Sequence, residues 1–545
     1  MKRQMTFGMV APLVLVLGFF LTLGSQSAQA GEDELLSILS GKAENVAAPN
    51  REVVTSPLQK LIAKPTAEQN MFFQFLGAGE NEKALYQYQS AFGDTGFGQS
   101  ASGQALRALL LFQNGLPVTS VNSLLAIQKP ATIAPELVKV WLEQVPVNHP
   151  VWSLVSEKLW TPQWTEIFGA RIAARVQSRE IFTDADSAKL VDLLRATPVD
   201  SAERAALEWQ MVLLLAENGD AAKAAAALAH LMKAPNNVVG KDLMSLTAAR
   251  MLYQNGFLDA AIKYDREIGK TSEYWFEAQE EAGWGYIRKG EPQNAMAITR
   301  TLLNPSFSMQ VGPEPFFLDS LAKLKICDYS GVMATLNQFR DRFRPRAQAM
   351  AAVSLNPDTA ETKSLVADMK AGKLKPTEPK AYLAKLPRFV ARDEIIKALI
   401  NREKALQAEA KQAGDIYVRS SSGGTAQVGF QAPFEIMRKD IDGSVASAHS
   451  AVLARVRNLA SDEVTEISDI LQKLRIVDVE LVQRLSLTDR MIKATSNGPI
   501  SEKKGTTVAD ASDKLRFPAE KEIWFDELSN YKVDVKKDCQ ASVKR

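Results

Sequence analysis

The 545-residue chain has only two cysteines, Cys327 and Cys539, and only three histidines, His149, His230 and His449. Two thiols cannot staple a chain of this length, so the fold must rest on buried apolar surface, and the 46% hydrophobic composition supplies it. None of the histidines has a His, Cys or pair of carboxylates at metal-ligand spacing, which leaves them as structural residues. No Gly-x-Ser-x-Gly elbow occurs, and neither cysteine has the local setting of a nucleophile. Gly269-Lys270-Thr271 imitates the end of a phosphate-binding loop, but the position that loop requires to be glycine is Tyr264. Gly96, Gly98 and Gly103 lack the strand and the spacing of a dinucleotide fingerprint. No catalytic, cofactor-binding or metal residue is therefore assigned, no small-molecule substrate is expected, and the chain reads as a non-enzyme.

Charge of one sign is also missing. Lys2 and Arg3 lie in a leader-like start that holds no acid, so without it the net charge of +2 falls to zero. A neutral chain gives no electrostatic reason to expect nucleic acid or an anionic membrane as partner. The one apolar run, Met9 to Leu23, follows a basic start and precedes Ala28-Gln29-Ala30, the pattern of a secretory signal peptide over 1–30. Cleavage before Gly31 predicts a periplasmic protein; a retained anchor is the alternative, with Pro12 and the short apolar run against it. No cysteine follows the signal, so it is not a lipoprotein, and contact with the membrane is expected only through partners. In an oxidising compartment Cys327 and Cys539 can form one disulfide; Cys327 as a small buried residue is the other reading.

What is abundant is a repeat. Leu252, Gly256, Ala261 and Ile268 recur 34 residues later as Tyr286, Gly290, Ala295 and Leu302, and Ala249 recurs as Gly283. Small residues at 249/283 and 261/295 let paired helices approach, while 252/286 and 268/302 fill the seam between units. Fainter units carry turn glycines at Gly79, Gly115 and Gly219, and a last one has Cys327 in the turn-glycine place. Over 119–200 the pattern degrades, and Trp141, Trp152, Trp160 and Trp164 arrive among proline-broken helices. They either line a ligand groove or fill core space, and the second is the expectation.

The resulting organisation is an N-terminal arm over 31–64, a repeat array over 65–346, a helical hairpin region over 347–495, a polar linker over 496–514 and a tail over 515–545. The stripe Ile467, Leu471, Leu474, Leu481 and Leu485 predicts one long helix that pairs antiparallel with a helix starting at Asp393, or with another chain; the intrachain partner is preferred. Arg340, Arg342, Arg344 and Arg346 read as a solvated helix C-terminus rather than a phosphate site. In the tail, Trp524 and Tyr531 are expected to dock back on the chain rather than on a partner.

The 34-residue period over 249–302 identifies the array with the tetratricopeptide family, one helix-turn-helix per repeat. Trp275 to Pro345, with Glu280-Glu281-Ala282-Gly283-Trp284-Gly285-Tyr286, Pro313-Glu314 and Cys327-Asp328-Tyr329, also resembles the repeat region of the adventurous gliding-motility envelope proteins of bacteria. The closing Trp524-Phe525-Asp526-Glu527-Leu528, Tyr531 and Cys539 is similar to their C-terminal signature. These resemblances imply an all-α fold, a tetratricopeptide-like α-solenoid followed by a coiled-coil-like hairpin. They also imply a periplasmic scaffold that binds other envelope proteins through a peptide or helix, with no cofactor. Tyr253, Trp275, Trp284 and Tyr286 are the candidate partner-binding residues. The alternatives are a peptidoglycan-active enzyme of the lytic transglycosylase type, and an outer-membrane assembly factor or chaperone.

Overall fold

A computed structural model describes residues 62, 64–177, 187–234, 237–374, 380–421 and 428–495. The expected signal peptide, most of the arm, the linker and the tail, with Trp524, Tyr531 and Cys539, lie outside these residues. The described part is all-helical, with no strand.

The chain divides into two compact units. The first comprises Met1–Gly240, Met369–Lys373 and Arg392–Arg455; the second comprises Lys241–Asp368, Leu374–Ala391 and Val456–Arg545.

In the first unit, α1 (Ala67–Ala78) and α2 (Asn81–Phe92) form a hairpin, followed by the short α3 (Gly96–Gln99) and the pair α4 (Ala101–Gln113) and α5 (Pro117–Leu125). A capping box between Thr66 and Gln69 starts α1, satisfying amides the helix itself cannot. Phe72 and Phe92, both 0% exposed, meet edge to face with ring centroids 5.1 Å apart. Each such side chain contributes about 1.5–3 kcal/mol by leaving water.

The irregular stretch then carries α6 (Pro135–Gln144), α7 (Pro162–Phe168), α8 (Ala170–Gln177) and α9 (Ser187–Ala196) before the pair α10 (Ala202–Glu217) and α11 (Ala221–Leu231). All four tryptophans of this stretch are buried. The indole N–H of Trp141 donates to the carbonyl of Ala105, and that of Trp164 to Leu125. They fill the core, as the sequence leads one to expect.

The second unit has three further pairs: α12 (Lys241–Gln254) with α13 (Leu258–Glu267), α14 (Trp275–Lys289) with α15 (Pro292–Leu302), and α16 (Glu314–Lys325) with α17 (Tyr329–Leu355). Ala261, Ala295, Ile268 and Leu302 are all buried, and Gly283 is approached so closely by Leu318 that a Cβ there would lie 2.5 Å from its Cδ2. The short connections turn through left-handed residues: Gly79 (φ 75°), Gly115 (79°), Gly219 (77°), Gly256 (82°), Gly290 (81°) and Cys327 (59°). Glycine adopts this region without a Cβ penalty, which is why the period was visible as glycines. Cys327 is the one non-glycine with positive φ among the described residues.

The C-terminal part departs from expectation in three ways. First, α17 runs unbroken through Pro345, so the boundary expected at 346 falls inside a helix. The arginine run is accordingly not a helix end. Arg342 donates to the carbonyls of Ser308 and Val311, both at 2.7 Å, and Arg346 pairs with Glu463 at 2.6 Å. These anchors on either side of Pro345 offset the helical hydrogen bond the proline removes.

Second, after α18 (Ala360–Lys370), the helix α19 (Glu394–Ser421) pairs antiparallel with only the first part of α20 (Val428–Thr495). Arg455 meets Asp393 at 2.6 Å, His449 meets Glu403 at 3.3 Å, and Arg438 lies over Tyr417. Third, the stripe Ile467, Leu474 and Leu481 belongs to the second unit, where it packs with Phe316, Val332, Leu336 and Phe339 of α16 and α17. Leu485, expected in the seam, is 43% exposed.

Candidate partner-binding site

Of the four residues singled out from sequence, two are interior. Trp275 is 4% exposed and Tyr286 7%, both in the apolar core that also holds Ile298, Leu302 and Leu318. They are corrected to packing residues: Tyr286 supplies the bulk its seam position needs, and the Trp275 ring packs edge to face on Phe276 and Phe307. Tyr253 and Trp284 remain partly accessible. Arg288 lies 5.1 Å from the Tyr253 ring centroid and donates to the Tyr253 carbonyl at 2.7 Å.

Around Trp284 the second unit gathers charge. Glu280 and Trp284 lie one turn apart on α14 and so share a face. The Trp284 indole N–H donates to Glu314 Oε1 at 2.9 Å, and its ring tilts against Phe317 with centroids 5.6 Å apart. Glu314 opens α16, where the helix dipole favours an acid. Neighbouring acids are already committed. Arg250 holds Glu281 through two hydrogen bonds, of 2.8 and 2.6 Å. Glu463, 5% exposed, accepts from Arg346 and from the amide of Arg388, and Arg388 also grips Glu466.

Glu280 is different: among the described residues it has no hydrogen-bond or ion-pair partner. Burial, then the charges of Glu314 and Glu466, push its carboxyl well above the usual range against the opposing pull of Arg388. Burial likewise raises Glu314, with Lys473 pulling the other way. Deeper, Asp265 is 2% exposed with Oδ1 unpartnered, and burial together with Glu281 pushes it up to about 8. One uncommitted carboxyl, Glu280, together with Glu314, which the Trp284 indole N–H already holds, beside a partly open ring suits a cationic side chain that would meet the ring face.

The acids were legible as residues but not as a site, because Glu466 and Arg388 join them from distant sequence. The structure spreads the three histidines. His149 Nδ1 accepts from the Val151 amide, and His230 and His449 each lie 3.3 Å from a glutamate. Among the described residues no group of three or more His, Cys, Asp or Glu could hold a metal ion, and no helix is long and apolar enough to cross a membrane. No protein-family model, no curated protein and no solved structure matches this chain.

Proposed function

We propose that the chain is a non-enzymatic, periplasmic, tetratricopeptide-like scaffold that binds a basic segment of another envelope protein in its second unit, as part of an envelope or gliding-motility complex. The observation that carries the scaffold reading is the recurrence of one device. Six helix pairs among the described residues turn through a left-handed residue, from Gly79 to Cys327. Such units cannot bury their apolar faces singly and must stack. The pairing of Glu280 and Glu314 with Trp284 supports the choice of a basic partner. The test is co-purification from crosslinked envelopes with wild type and with Glu280→Gln/Glu314→Gln. A partner recovered by wild type and lost from the double variant is the expected result; recovery of no partner by either sinks the reading.

One observation leans toward the peptidoglycan-active alternative. A glycosidase needs a carboxyl that stays protonated near neutral pH, and Glu280 is raised. A cleared band in peptidoglycan zymography that disappears in Glu280→Gln would replace the scaffold reading with that one.

A further inference from the structure

The end of α20 is apolar on two faces. Leu474, Val477 and Leu481 are buried against α16 and α17, while Ile476 (71% exposed), Val479 (58%) and Val482 (61%) stand in solvent on the other side. A surface helix of a soluble protein is expected to be polar there, and clustered exposed apolar residues mark a covered surface. The cover must reach this spot, match it, and be held there.

We propose that the chain's own tail supplies the cover. Trp524, Leu528 and Tyr531 dock on the Ile476–Val479–Val482 face, and a disulfide between Cys539 and Cys327 fastens them, the two thiols passing two electrons and two protons to an oxidised dithiol donor by thiol–disulfide exchange.

Four observations carry this. The spacing of Trp524, Leu528 and Tyr531 is i, i+4, i+7, the apolar face of a helix. The acids Glu520, Glu522, Asp526 and Glu527 on that segment complement Arg475, which borders the stripe, whereas Arg484 is already paired with Glu480 at 2.7 Å. Reach is sufficient: residues 496–523 lie between the end of α20 and Trp524. A random coil of that length spans roughly 30 Å, against about 20 to 29 Å of helix from Thr495 back to Val482 and Ile476.

The fourth concerns Cys327. It is not a free thiol, and the chain has one other cysteine. Its position is right as well. Arg346 pairs with Glu463 and Arg340 with Asp478, so moving back along α17 moves forward along α20, and the turn before α17 lies toward the Leu485 end. Cys327 also stands in a left-handed position that glycine fills in the other pair turns. A Cβ is disfavoured in that region, and the chain keeps one at the turn that holds its sulfur. The inference is independent of the partner reading above.

The test is hydrogen-exchange mass spectrometry on the full chain, with peptide mapping under non-reducing conditions. Mapping should join the Cys327 and Cys539 peptides. Peptides covering 520–531 should exchange at least tenfold more slowly than an unstructured chain, independently of protein concentration. In Ile476→Lys/Val479→Lys/Val482→Lys, whose changes lie on an exposed face, that protection should vanish while protection of α14 and α16 stays. Unprotected 520–531 in wild type, two reduced cysteines, or protection unchanged in the triple variant each overturns the proposal. So does protection of the 476–485 face that depends on concentration, which would make its cover a second copy.

Discussion

The carboxylate of Glu409 on α19 accepts the amide N–H of Thr119 at 3.1 Å and its hydroxyl at 2.6 Å, across a separation of 290 residues. It also accepts from the amide of Val118. The residue that should cap α5, Leu116, has no side chain able to do so, so the cap comes from the far end of the chain.

Glu409 therefore ties α5 to α19, and burial pushes its carboxyl up to about 7 despite these bonds. An acid held higher in the folded than in the unfolded state binds more protons when folded, so stability falls as pH rises from about 4.5 to about 7 and is level outside that window. Chemical denaturation at a series of pH values should show this fall, and Glu409→Gln should flatten its Glu409 component. Glu409→Ala should cost about 2 kcal/mol by orphaning the α5 amides. Equal pH slopes in wild type and Glu409→Gln would show that the cap does not titrate.

The same pair shows what the sequence could and could not disclose. The turn residues Gly79, Gly115, Gly219, Gly256, Gly290 and Cys327 were legible because a left-handed turn leaves a glycine, or a conspicuous substitute, at a regular interval. The burial of Trp141, Trp152, Trp160 and Trp164 followed from their size. The α19–α20 hairpin was legible in part, since Asp393 marks its start. Glu409 was not: nothing local distinguishes a glutamate that caps a helix in another part of the chain. The stripe at Ile467, Leu474 and Leu481 was visible, but periodicity names a buried face and not its partner, which proved to be α16 and α17. Trp275 and Tyr286 were misjudged because an aromatic at a repeat position serves core and surface equally well in sequence.

Gly290 ends α14 at φ 81° and accepts no Cβ without strain. Gly290→Ala and Gly256→Ala should each destabilise the second unit by about 1–2 kcal/mol. Gly414, inside α19 with no atom within 4 Å of a built Cβ, is the control. Gly414→Ala should stabilise by about 0.5–1 kcal/mol through helix propensity. Thermal unfolding followed by circular dichroism reads both, and a neutral Gly290→Ala would contradict the turn geometry.

Asp265 sits 2% exposed with Oδ1 unpartnered and is pushed up to about 8, chiefly by burial and then by Glu281. By the same sign rule, its contribution makes stability fall between about 4 and about 8. Asp265→Asn removes the ionisation and should raise stability at pH 8 by on the order of 1–2 kcal/mol, with little change at pH 4. A loss of stability at pH 8 would mean that the carboxylate has a compensating partner in solution.

Asp393 does two jobs at once. Its Oδ1 caps α19 by accepting the amide of Ile396 at 2.8 Å, and its carboxylate takes three hydrogen bonds from Arg455, with side-chain exposures of 5% and 14%. Removing one partner of a buried pair leaves the other charge stranded, which costs about 3–5 kcal/mol. Asp393→Ala should therefore lose more than Arg455→Ala, because it forfeits the cap as well, by about 1 kcal/mol. Asp393→Asn should separate the two roles, keeping the cap acceptor while weakening the ion pair. Urea denaturation of the three variants ranks them; if Arg455→Ala proves the worst, the pair rather than the cap governs how the α19–α20 hairpin closes.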